Sequence, residues 1–177
     1  MRRRGRNRPN AKGRNENTTK RFAALPHEIL ISAAYRGLDL TARALLTEIV
    51  MIENGRNNGS LWLSVRDAAD RLGITDARPI SRAFEMLQLA GLIAMTKDAH
   101  FSVKASETSR ARCWRLTWRP CDNKGASNEW RSYRPVSGTR ESRRADKGQR
   151  AMARYRKQCA QNKMPVVDFT SMPPISL

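Results

Sequence analysis

Apolar residues along the middle of the chain recur at two periods, and the change from one to the other marks the elements. In LPHEILISAAYRGL, Pro26 stands where a helix can start without an amide donor. Ile29, Leu30, Ala33 and Ala34 give it an apolar side and Gly37 a stop, predicting one helix. In LTARALLTEIVMIENG, Leu45, Ile49 and Ile52 recur at i, i+4 and i+7, Thr41 is a candidate N-cap, and Asn54-Gly55 supplies a left-handed stop. RNNGS is turn chemistry, and LWL follows as a strand of about three residues.

The next stretch, SVRDAADRLGITDARPISRAFEMLQLAGLI, joins two short helical patterns. Ser64 with Asp67 fits a capping box; Ala68 and Ala69 allow a crossing helix to come close, and Leu72 points to the core. Gly73 permits the positive φ of a sharp ending, with Ile74 dropping into the core behind it. Asp76 is the expected cap of the following helix, which places Pro79 in the first turn, where amide donors are unpaired anyway. Ile80, Ala83, Phe84 and Leu87 then form one apolar face; Arg78, Ser81, Arg82, Glu85 and Gln88 point away from it. After Gly91, LIAMTK reads as a strand with Ile93 and Met95 inward. RCWRLTW alternates, with Trp114, Leu116 and Trp118 on one side and Cys113, Arg115 and Thr117 on the other. The polar stretch DAHFSVKASETSRA between them is too long for a tight hairpin.

Charge divides the chain into three. The 177 residues carry a formal charge of +18, made up of +8 in residues 1–21, only +2 in 22–118, +9 in 119–163 and −1, from Asp168, in 164–177. The middle also holds most of the Leu, Ile and Val. We therefore expect a disordered basic arm over 1–21 and one folded domain over 22–118. A basic, mostly disordered tail over 119–177 should follow, with the helical spacing of Met152, Tyr155 and Cys159 marking a candidate helix near 141–161 that Gly148 weakens. The uncharged end, MPVVDFTSMPPISL apart from Asp168, can dock on the domain or on a partner. Such a basic chain favours polyanions. No apolar run is long enough to span a bilayer, and the N-terminus lacks the apolar core of a signal peptide, so a cytoplasmic, nucleoid-associated protein without membrane partners is expected.

The order of elements, with LTARALLTEIV, LSVRDAADRLGIT, RAFEMLQLAGLIAM and the closing RCWRLTW, resembles the winged helix-turn-helix proteins of bacteria and their phages and plasmids. The resemblance covers roughly residues 38–118 and is closest to the small domains of mobile-element replication and regulatory proteins. It implies a mainly α fold with a small antiparallel β wing, flanked here by basic tails. It also implies a helix after the turn that enters the major groove of duplex DNA, a wing that touches backbone or minor groove, and a role in transcription regulation or replication initiation. This chain departs from the usual spacing: Ile80 and Ala83 fall one residue late after Gly73, as a turn one residue longer would produce.

On that reading Arg78, Ser81, Arg82 and Glu85 face DNA: arginine bonds guanine O6 and N7 bidentately, and a carboxylate accepts from cytosine N4. The ordinary alternative is a solvated face with an Arg82–Glu85 pair worth about 0.2–0.5 kcal/mol. Lys97, His100, Lys104, Arg110 and Arg112 surround the expected wing. Arg2, Arg3, Arg4, Arg6 and Arg8 form an arm suited to a minor groove or to a non-specific tether. Trp130 and Tyr133, among arginines, are candidates for stacking on unpaired bases. No glycine-rich phosphate loop, nucleophile–base pair or metal-ligand cluster is present, so neither catalysis nor a cofactor is expected, and Cys113, Cys121 and Cys159 read as free thiols. Two rivals remain: an RNA-binding or RNA-packaging protein acting through its arginine-rich tails, and an adaptor using the domain for protein contacts. Homodimerisation on a palindrome is compatible with the fold, but no heptad run supports it.

Overall fold

A computed structural model of the chain describes residues 22–97 and 112–161. Its first helical stretch is two helices, α1 (His27–Leu30) and α2 (Ala33–Gly37), where one was expected. Ser32 divides them. Its Oγ donates to the Ile29 carbonyl at 2.7 Å and accepts from the Tyr35 amide at 3.1 Å, so the hydroxyl takes over the backbone's partners and restarts the helix. The long helix α3 (Leu40–Ile52) is capped by Asp39, not Thr41: Asp39 is extended, with its carboxylate 2.8 Å from the Ala42 amide, and Thr41 already lies inside the first turn. Ala42, Leu45, Leu46, Ile49 and Val50 are its buried face.

The turn after α3 leads into β1 (Leu61–Trp62) and then α4 (Val65–Leu72). The Ser64 hydroxyl accepts from the Asp67 amide at 3.0 Å and donates to the Asp67 carboxylate at 2.6 Å, which ties off the first turn of α4 from both sides. At the other end Gly73 adopts φ 65°, and the Ile74 amide reaches back to the Ala69 carbonyl at 2.9 Å, a left-handed C-cap. Leu72 and Ile74 pack against the core from its margin, half-buried rather than within it. Asp76 caps α5 (Ala77–Leu89), with Pro79 third in the helix and Ile80, Ala83, Phe84 and Leu87 buried against α3 and α4.

Two further strands, β2 (Ile93–Lys97) and β3 (Cys113–Leu116), complete an antiparallel sheet ordered β1-β3-β2. Register pairs Leu61 with Trp114, Ile93 with Leu116 and Met95 with Trp114. Met95 shares the inward side with Trp114 but is 43% exposed, because β2 is an edge strand and its register shifts between Met95 and Lys97, beyond the cover of the core. Thr117, expected outward, is fully buried: β3 ends at Leu116, alternation stops there, and the Thr117 hydroxyl donates to the Gly91 carbonyl at 2.7 Å. The sheet is locked to the helices by Trp114. Its ring stacks on Phe84 at 4.6 Å between centroids, worth about 0.5–1.5 kcal/mol beyond burial, and its Nε1 donates to the Leu63 carbonyl at 3.1 Å.

The domain does not close at Trp118, where the sequence placed its end. Asn58, in the turn before β1, holds the chain leaving β3. Its Oδ1 accepts from the Leu116 amide at 2.7 Å, and its Nδ2 lies 3.0–3.1 Å from the carbonyls of Leu116, Arg119 and Pro120. A short 3₁₀ turn (Glu129–Arg131) then sinks Trp130 into the core, 6% exposed. Helix α6 (Arg140–Gln161) lays its first half across α2, burying Ala145, and Arg144 Nε donates to the Gly37 carbonyl at 2.9 Å. One indole and a few small residues suffice to hold this basic segment, because its charges stay outside. Arg131 pairs with Glu28 at 2.7 Å and Arg115 with Glu129 at 2.7 Å. Gly148 has a packing role in the helix it was expected to weaken: a Cβ there would lie 3.0 Å from the Arg36 side chain.

The described fold is thus mainly helical with one small three-stranded antiparallel sheet, and no described helix is long and apolar enough to cross a membrane.

Candidate nucleic-acid interface

Helix α5 is held from one side only. Its apolar face is gripped by α3 and α4, and its first turns present Arg78, Ser81, Arg82 and Glu85 to solvent, all four exposed. The turn from Gly73 to Asp76 sets the angle between α4 and α5. Val65, Arg66, Ala69, Gly73 and Ala77 line a groove there, and exposed Arg66, in the first turn of α4, adds a cation that sequence reading passed over. Its signal was the position itself, in the first turn after the Ser64 N-cap.

Arg78 is 91% exposed in its side chain yet oriented. Its Nε lies 2.9 and 3.1 Å from the two Asp76 carboxylate oxygens and its Nη2 lies 2.9 Å from Oδ2, while the same carboxylate accepts from the Arg78 amide at 2.9 Å. The Arg78 guanidinium, and after it the Arg78 amide, hold the Asp76 carboxyl below its ordinary range. Cap and cation therefore form one unit. The two Nη1 protons and the second Nη2 proton remain directed away from it, three donors where a bidentate contact needs two.

Arg82 makes no ion pair with Glu85 among the described residues. Instead it lies close enough to α6 to be felt by Glu141. That carboxyl is held below its ordinary range by its own backbone amide first; burial opposes this, and Arg144, Thr139 and, least, Arg82 add to the lowering.

Of the residues expected around a wing, Lys97 and Arg112 are described, and both are exposed. Register sets Lys97 opposite Cys113, so Lys97 and Arg112 stand side by side where β2 and β3 open. His100, Lys104 and Arg110 lie outside the described residues, as do Arg2, Arg3, Arg4, Arg6 and Arg8. Trp130 and Tyr133 do not serve as stacking platforms for bases. Trp130 is a core residue with the Arg131 guanidinium 4.9 Å from its ring centroid, and Tyr133 packs beside it, where burial pushes its hydroxyl pKa up. Aromatic residues spaced among arginines read alike in sequence whether the ring is out or in; the arginines here cover the ring.

None of the three cysteines is in a disulfide, and burial, followed by Asp122, pushes the Cys121 thiol pKa up. Among the described residues no group of His, Cys, Asp or Glu is placed to hold a metal ion. No family model, no curated protein and no solved structure matches this chain with significance.

Proposed function

We propose that this chain is a duplex-DNA-binding protein built on a winged helix-turn-helix. In this reading α4 and α5 are the helix pair, α5 enters the major groove, and β2 with β3 flank the wing. One observation carries it: α5 is buried on one face while its first three turns hold Arg78, Ser81, Arg82 and Glu85 bare on the other, soon after a tight left-handed turn at Gly73. Groove entry requires hydrogen-bonding side chains on such an outward face, and two arginines one turn apart there supply the donors that guanine edges accept. The exposed Lys97 and Arg112 suit phosphate contact beside it. The resemblance to mobile-element proteins points to transcription regulation or replication initiation in a bacterial cytoplasm as the setting.

Competition binding of the full chain at 150 mM salt, among duplex DNA, single strands and structured RNA, tests the reading. A duplex preference that is lost in the double variant Arg78→Ala, Arg82→Ala is expected. Equal binding to structured RNA that survives this change would overturn it in favour of the tail-driven RNA-binding alternative.

A further inference from the structure

Helix α6 carries a feature that neither its packing on α2 nor the α5 surface uses. Arg143, Lys147, Arg150, Arg154 and Lys157 follow one another at alternating steps of four and three residues. On a helix this confines all five to a sector about 80° wide and sets them along a straight line of about 21 Å. The line faces away from the domain. Ala145, Gly148 and Met152, buried or half-buried, fall on the opposite side, which is the side laid on α2. All five cations are exposed, and none pairs with a carboxylate among the described residues. Asp146 borders the stripe but lines the groove with Ser32, Trp130 and Arg134.

Five unneutralised charges held in a row by a helix are costly to keep together and are relieved by a polyanion of matching shape. We propose that this stripe is a second DNA-binding surface, lying along the phosphate backbone of duplex DNA; it rests on the reading of α5 given above. Duplex is favoured over single strand by two observations. The row is straight and rigid, and over about 21 Å a duplex presents on the order of a dozen phosphates. Single strands are held by stacking platforms, and this surface has none: Trp130 is buried, and Tyr155 stands about 120° around the helix from the centre of the stripe.

The test measures how duplex affinity of the full chain falls with salt. Replacing the five cations by glutamine, a good helix former, should lower the slope of log K against log salt by about 4.5, since each neutralised phosphate contributes about 0.9. Arg143→Lys, Arg150→Lys and Arg154→Lys together keep the charge and should keep the slope. Should the five-fold variant lose helicity by circular dichroism, Arg150→Gln, Arg154→Gln and Lys157→Gln, all exposed on the side turned away from α2, carry the same test with an expected drop of about 2.7. A duplex-binding protein whose slope is unchanged in these variants overturns the stripe and leaves the α5 reading standing. A wild-type preference for structured RNA or single strands, abolished in the glutamine variants, overturns both, and so does no binding at 50 mM salt.

Discussion

Asn58 does more for this fold than any other single polar residue. Its amide joins the turn before β1 to three carbonyls and one amide at the exit of β3. Asn58→Ala removes all four contacts at once from a partly enclosed site, and a loss of about 2 kcal/mol in urea unfolding is expected, above the cost of one ordinary hydrogen bond. Gly91 is equally exacting for a steric reason. With φ 67°, a Cβ there would come within 2.8 Å of the backbone between Glu129 and Trp130, so Gly91→Ala should displace the indole and be detected as a red-shifted, quenchable tryptophan emission. Glu141 ties stability to pH. Its folded pKa is lowered, so its contribution is complete above 4.5, the ordinary glutamate value, and is lost as pH falls through the lowered value. Wild type and Glu141→Gln should therefore differ in melting temperature at about pH 6, with the difference shrinking as the pH is taken down below 4.5.

At the level of elements, what was legible in the sequence followed from local chemistry. Ser64 with Asp67, Gly73, Asp76 and Pro79 each act within one turn of their own position, and the boundaries of α4 and α5 fall where they indicate. Ser64→Ala should cost about 1 kcal/mol through removal of the cap, measured against an unchanged unfolding slope. Misreadings arose where a distant partner or a close competitor decides. Ser32 breaks a helix that Pro26 and Gly37 bracket in sequence, and Asp39 stands two residues ahead of Thr41 with the stronger acceptor. Met95 depends on how far the core reaches under β2, and Thr117 on a carbonyl that only the fold supplies. The exposed side of α5 was legible because apolar periodicity fixes the buried side. The Arg78–Asp76 clasp was not, since i,i+2 neighbours on a helix do not face each other and meet here only because Asp76 lies outside it.

For the whole molecule, charge was a poor guide to where folding ends. A segment as basic as 119–161 reads as a tail until Trp130 and Ala145 are found in the core, with arginines arranged around them as an outer layer. It follows that residues 22–118 alone expose the sites vacated by Trp130 and Ala145. Compared with residues 22–161, that fragment should bind more hydrophobic dye and unfold with a smaller denaturant dependence. The packing of α6 on α2 also governs the order in which the protein can be made. Gly37 and Arg144 are bonded across 107 positions, so helices synthesised at the beginning wait for a support that arrives near the end. A ribosome stalled before Arg140 should hold a nascent chain whose opening helices are still cut by protease, and release of one further helix should close them off.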